Sequence, residues 1–197
     1  MNSAARDLVK ILRSLRAETE RTQSEPHMAL GSEQGALLGL LTWFARPDFV
    51  LEIGAFTGWS TLEIAAALPP GSRFVTIDVS EEVTEIARRH AEAAGLADRV
   101  DFRAGAATAV IEELEGPFDL VFIDAAKRDY LELYEAVIPK LGERGVIVAD
   151  DTLLDRDGNV AIAQFNQHIA ADDRVREVTL PIGGGMTLIC RQGGIRP

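Results

Sequence analysis

The chain of 197 residues contains a single cysteine, Cys190, so no disulfide can form within it. A lone thiol fits a reducing compartment, and a cytoplasmic location is the expectation. No run of 18 or more apolar residues occurs, which argues against a membrane-spanning helix. The N-terminal stretch shows no apolar signal core followed by a small-residue cleavage site. Basic residues are in deficit: 20 Lys and Arg against 31 Asp and Glu give a formal charge of −11. That balance argues against nucleic acid or an anionic membrane as the main partner and favours a small ligand, cationic or metal-bound. Histidine is scarce as well; His27, His90 and His168 are too far apart for a zinc pattern, and the last two are expected on helix surfaces. What is abundant is apolar content, 47%, enough for one substantial core. With no linker or internal repeat, residues 1–197 read as one domain, a helical cap over 1–45 and an α/β core over 46–197.

Leu8, Ile11, Leu12 and Leu15 recur at helical spacing, so residues 4–20 predict an amphipathic helix. A second helix, "EQGALLGLLTWFA", is closed by Pro47. From there strands and helices alternate. "FVLEIG", "RFVTID", "RVDFRAG", "FDLVFID" and "GVIVAD" read as strands, each followed by a helical segment. Ser80 caps the helix "EEVTEIARRHAEAA", which Gly95 ends. The end, "RVREVTLPIGGGMTLICRQ", reads as a hairpin through a glycine-rich turn. Alternation of this kind implies a parallel sheet covered by helices on both faces, here with an antiparallel edge.

Ligands of such sheets bind beyond the carboxyl ends of the strands, and the notable polar residues fall there. Gly54 and Gly58 allow a tight turn that brings backbone N–H groups near a ligand, although a plain structural turn has the same sequence. A dinucleotide fingerprint needs glycine at position 56, where Phe56 stands, so a cofactor without a diphosphate is favoured. Asp78 ends the second strand, placed either to accept from ribose hydroxyls or to face a helix dipole. Gly105 and Ala106 are small enough to admit a flat ring, or to form an ordinary loop. Trp43 and Trp59 read as core, as does Cys190.

Asp124 ends the fourth strand with Lys127 three residues on; only three of the 20 basic residues are lysines, and lysine, unlike arginine, can accept a proton when its pKa is lowered. A surface ion pair with Asp124 or Asp129 is the alternative. The fifth strand ends on Asp150 and Asp151, two like charges that at about 4 Å would repel by roughly 4 kcal/mol at an effective dielectric near 20. Successive strand residues point to opposite faces, so the two converge only if the strand ends and the chain turns. Asp124, Asp150 and Asp151 together suggest a hard divalent cation, most naturally Mg²⁺; a solvated acidic loop, with four Asp in "DDTLLDRDG", is the alternative.

Taken in order, "VLEIGAFTGWSTL", "FDLVFIDAAKRDY", "GVIVADD" and "LPIGGGMTLI" resemble the cation-dependent O-methyltransferases that use S-adenosylmethionine, the family of catechol and caffeoyl-CoA O-methyltransferases and their bacterial members. The resemblance runs from about Leu15 to Arg191. It implies a Rossmann-like class I methyltransferase fold with a seven-stranded, mostly parallel sheet and a C-terminal antiparallel hairpin. It places Glu52, Gly54, Phe56 and Ser60 around the cofactor's methionine part and turn, with Asp78 and Val79 at the ribose end. Gly105, Ala106 and Ala107 would lie by the adenine, and Met28 and Leu30, from "HMALGSEQG", against the cofactor. Asp124, Asp150 and Asp151 match the metal ligands, with Mg²⁺ expected and Mn²⁺ or Ca²⁺ as alternatives; Lys127 matches the proposed base. The resemblance also implies a homodimer and a small hydroxylated acceptor. Three positions depart from the pattern: Asp151 replaces an asparagine, Ala126 an aspartate, and Gly184 the aspartate of a Gly-Asp-Gly turn.

The function these readings favour is methyl transfer to a hydroxyl beside a second oxygen. A nicotinamide-dependent dehydrogenase, against which Phe56 counts, and a non-catalytic cofactor-binding or receiver-like regulatory domain are the alternatives. Receivers keep their acidic pair on the first strand, which here ends in Glu52 and Gly54.

Overall fold

The computed structural model describes residues 3–154 and 158–194. Asp155 and Asp157 of the acidic segment lie outside the described residues. Two helices, α1 (Ser3–Thr22) and α2 (Ser32–Ala45), precede β1 (Phe49–Ile53), α3 (Trp59–Ala67), β2 (Arg73–Asp78), α4 (Glu81–Ala93) and β3 (Asp101–Ala104). Then come α5 (Ala107–Glu113), β4 (Phe118–Ile123), α6 (Tyr130–Val137), β5 (Leu141–Ala149), α7 (Val160–Ala170), β6 (Val175–Leu180) and β7 (Met186–Arg191). The strands form one sheet of order β3-β2-β1-β4-β5-β7-β6, parallel except where β7 pairs with β5 and β6.

Side chains alternate between the two faces of the sheet, and both faces are buried, so the central strands are mostly apolar. Leu51, Ile53, Val121, Ile123, Ile147 and Ile189 pack with the residues of α5, α6 and α7. Val50, Leu120, Phe122, Val148 and Met186 pack on the other side with α1 to α4. Among the described residues no helix is long and apolar enough to cross a membrane.

Four expectations change. The fifth strand begins at Leu141 rather than Gly145. A Cβ on Gly145 would lie 2.5 Å from the Phe118 carbonyl, so glycine is what lets β5 lie against β4 at an irregular register. The helix expected over 128–141 is broken into α6 between two 3₁₀ turns, Lys127–Asp129 and Ile138–Lys140, the second carrying Pro139, which lacks an N–H to continue the α-helix. Trp43 is exposed, not core: together with Leu40 and Phe44 it forms an apolar outer face on α2. His90 is buried, not on the surface, with Nε2 at 2.9 Å from Glu18. Arg89 pairs with the same carboxylate at 2.7 Å, and these two bonds hold Glu18 below its usual pKa and tie α1 to α4.

His168 lies half-exposed, as expected, in a network that joins α6, α7 and β6. Arg174 donates to Asp172 and Glu135, Tyr134 Oη donates to Asp172 at 2.7 Å, and His168 meets Glu135 at 2.7 Å. Arg174 holds both carboxyls below their usual range, Asp172 far below it. Groups with depressed folded pKa values stabilise the fold above their unfolded pKa, near 4, and lose that contribution as pH falls through the folded value. The melting temperature should therefore drop on acidification below about pH 4. Arg174→Ala should remove much of this pH sensitivity and cost about 1 kcal/mol at neutral pH, since the guanidinium is half-exposed. Calorimetric melts of both proteins between pH 3 and 7 check this; parallel pH profiles would contradict it.

Candidate active site

β1 ends at Ile53, and the next five residues turn into α3. Gly54 has φ +96°, and a Cβ there would overlap the Asp124 carbonyl oxygen, so the position admits only glycine. Gly58, φ +100°, lies against Ala87 of α4 in the same way. Between them Phe56 has φ +45°, a strained conformation for a bulky residue. The strain is held in place by Asp78, whose carboxylate accepts from Phe56 N–H at 2.8 Å and from Ser80 N–H at 3.0 Å. Asp78 thus fixes the turn after β1 and starts α4 at once. Thr57 is tied to α1 through the Thr19 hydroxyl at 2.8 Å.

This turn, the segment Met28, Ala29 and Leu30, and Asp124 line one cavity. Arg16 steadies that segment by donating to the Leu30 carbonyl at 2.8 Å, and its guanidinium stacks 4.1 Å from the Trp59 ring. Glu52 lies fully buried beneath α3. One of its oxygens accepts from Thr61 and Thr76 at 2.5 Å each; among the described residues the other, Oε1, has no hydrogen-bond partner, nor has the buried Trp59 Nε1. Burial pushes the Glu52 carboxyl up to about 7 despite the hydroxyls around it. An unpaired carboxylate oxygen beside the cavity residue Ser60 suits a cationic ligand group such as an ammonium.

Asp124, Asp150 and Asp151 converge at the ends of β4 and β5, with oxygens within 4.8 Å of one another. Asp150 N–H donates to the Ile123 carbonyl at 3.0 Å, prolonging the ladder, and the chain then reverses because Asp151 has φ +57°. Left-handed φ is how two successive residues reach one site. Asp and Asn enter that region more readily than other side chains, so the exchange at 151 spares the backbone and alters only charge. Lys127 Nζ donates to Asp124 at 3.0 Å, Asp151 at 2.9 Å and Tyr130 Oη at 2.8 Å. Tyr130 in turn donates to the Asp150 carbonyl at 2.9 Å. Burial opposes the Lys127 ammonium, but the Asp124 and Asp151 charges prevail and raise its pKa. Lys127 is thus held protonated, where the sequence reading looked for a lowered pKa. Burial raises Asp124, and burial with the Asp124 charge pushes Asp150 up to about 7. Three carboxylates against one ammonium leave excess negative charge, and a donor set made only of oxygens suits a hard divalent cation.

Of the residues named from sequence, the cavity gathers Met28, Leu30, Gly54, Phe56, Ser60 and Asp124. Glu52 and Asp78 stand directly behind it. Val79 is exposed, and Gly105, Ala106 and Ala107 sit at the β3–α5 junction; these four do not line the cavity. Trp59, read as core, and Thr57 do line it. Tyr130 and Gln34 were missed: both are polar residues within helical stretches that give no sign of reaching another element. Gln34 Nε2 donates to both Asp150 oxygens at 2.8 Å. Two departures from the family pattern meet in space, since a Cβ on Gly184 would overlap Asp151 Oδ1.

Sheet order, the reversed β7 and the likeness to a solved methyltransferase define a Rossmann-like methyltransferase fold. The chain belongs to the O-methyltransferase family, whose model matches residues 2–192. It is 37% identical over 186 residues to tricin synthase 2 of Oryza sativa subsp. japonica, covering 84% of this chain but 63%, less than two thirds, of that relative. It is 32% identical to caffeoyl-CoA O-methyltransferase 1 of Eucalyptus globulus, covering 84% of this chain and 75% of the relative. Among solved structures, the O-methyltransferase TomG from Streptomyces achromogenes, involved in tomaymycin synthesis and in complex with SAM, superposes with TM-score 0.85 at 28% identity, covering 98% of this chain and 91% of TomG.

Proposed function

We propose that this chain transfers the methyl group of S-adenosylmethionine to a hydroxyl of a small molecule that carries a second oxygen beside it, with help from a divalent cation, Mg²⁺ in the first instance. The observation that carries the reading is Asp124, which both lines the cavity beside the β1–α3 turn and belongs to the carboxylate cluster. Donor and acceptor sites therefore share a wall, which holds both reactants together; such positioning is worth up to roughly 7–11 kcal/mol.

In this reading Met28, Leu30, Gly54, Phe56 and Ser60 enclose the methionine part, and the free Glu52 oxygen faces its ammonium. Asp78 and Val79 flank the ribose; Gly105, Ala106 and Ala107 flank the adenine. Asp124, Asp150 and Asp151 hold the cation, which when bound supplies the positive charge that favours the ionised hydroxyl. With a cation on Asp124 and Asp151, the two charges that raise the Lys127 pKa would be taken up; its ammonium would then release a proton to solvent, and the neutral amine would accept the hydroxyl proton. The oxygen displaces the sulfonium: a C–O bond forms, the C–S bond breaks, and S-adenosylhomocysteine remains. The relatives carry different names, so the reading commits to a class of acceptor rather than to one compound.

Residues 1–197 act as one domain, with 1–45 as its cap. The apolar face of Leu40, Trp43 and Phe44 supports a homodimer. Acidic charge and the single cysteine support a cytoplasmic enzyme acting on neither nucleic acid nor membrane.

The cofactor half is tested by calorimetry with S-adenosylhomocysteine. Asp78→Ala loses both the ribose contact and the anchor of the Phe56 turn, so its dissociation constant should rise at least about tenfold, the equivalent of one charged hydrogen bond. Unchanged affinity would contradict the assignment.

A further inference from the structure

Gln34 stands on α2, yet its side chain joins three separate parts of the site. It is buried, 8% exposed, and its carboxamide uses both ends. Oε1 accepts from Gly31 N–H at 3.2 Å, next to Leu30 of the cavity wall. Nε2 lies 2.8 Å from each oxygen of Asp150. On a third side the glycine turn closes over it: Gly183 has φ +57°, and a Cβ there would overlap the Gln34 amide. The same turn covers Asp151 through Gly184. Among the described residues no other side chain bridges the Met28–Gly31 segment and the carboxylate cluster by hydrogen bonds.

We infer that Gln34 is a positioning residue through which the cofactor cavity and the cation site are energetically coupled. The inference rests on the proposed function, because it needs both ligands to bind. Its physical basis is that one rigid amide orients Asp150 and fixes the start of the segment that walls the cavity. A cation on Asp150 favours one setting of the amide, and that setting fixes Gly31 and the wall beside it. A ligand pressing on Met28 and Leu30 acts through the same amide in reverse, and linkage makes the two effects equal.

The test is calorimetric titration of S-adenosylhomocysteine into the full chain, once with saturating Mg²⁺ and once with chelator. In the wild type Mg²⁺ should tighten binding about 5-fold or more, the lower end of ordinary coupling. Gln34→Met, of similar length but without the amide, should reduce the ratio to less than about 2-fold, within what counts as uncoupled. Taking a ratio cancels any general loosening of the pocket, which a purely structural role would produce. Should Gln34→Met not fold, Gly183→Ala serves instead, since its Cβ displaces the same amide and should give the same loss. Equal affinity with and without Mg²⁺ in the wild type, or a wild-type ratio in Gln34→Met, overturns the inference alone. Failure of the wild type to bind S-adenosylhomocysteine under either condition overturns the proposed function and this inference with it.

Discussion

Asp150→Asn is expected to lower methyl transfer on the order of 10³-fold, about 4 kcal/mol of transition-state stabilisation, while making the cation-free protein more stable rather than less. The two effects have opposite signs for one reason. Asp150 is buried beside Asp124, and a charge there is useful only when a cation joins it. Asparagine keeps an acceptor for Gln34 and removes the charge. The pH dependence follows from the same shift. The folded pKa is about 7 and the unfolded one 3.8, so between these values the folded state binds the extra proton. Stability of the wild type in chelator therefore declines as pH rises from about 4 to 7 on account of this group. Asparagine does not titrate, so the gain in melting temperature of Asp150→Asn should be absent near pH 4 and complete above pH 7. Equal melting curves at pH 8 would mean that Asp150 carries no burial penalty.

Lys127→Met should reduce kcat by roughly 10²- to 10⁴-fold, the usual range for loss of a general base, with the affinity for S-adenosylhomocysteine unchanged. Removing the ammonium leaves three converging carboxylates without a fixed counter-charge, so cation affinity should rise rather than fall. Lys127→Arg separates the two possible roles of the residue. Arginine restores the positive charge near Asp124 and Asp151 but cannot give up its proton, so it should not restore kcat. Recovery of activity in the arginine variant would show that Lys127 serves as a fixed charge and that the proton leaves by another route. Single-turnover rates for the three proteins decide the matter.

The architecture was legible because most strands are short apolar runs ended by a polar residue or glycine, and because Pro47 and Gly95 mark helix ends. β5 was misjudged at its start because "LGERG" contains two glycines, whose value lies in how closely β5 approaches Phe118. The convergence of Asp150 and Asp151 required the strand to end and the chain to turn. That condition was legible, although the left-handed φ of Asp151 that meets it was not. Residues whose importance depends on a distant partner left no local trace. Gln34 reaches Asp150 across 116 positions, and His90 meets Glu18 across 72. Lys127 was found by its proximity to Asp124, but its bond to Asp151, and the raised pKa that results, belong to the fold.

Asp151 is the narrowest of the differences expected from sequence between this chain and the family pattern. It brings a third carboxylate to the cluster, and Gly184 leaves room for it. The extra charge should bind a divalent cation more tightly than an asparagine would, without disturbing the turn.

Labelled methyl transfer from S-adenosylmethionine to a panel of catechols and other vicinal-oxygen acceptors, with Mg²⁺ and with chelator, tests the central claim most directly. Transfer to at least one acceptor that chelation abolishes and added Mg²⁺ restores is the result expected. Transfer of equal rate in chelator would contradict a cation held by Asp124, Asp150 and Asp151.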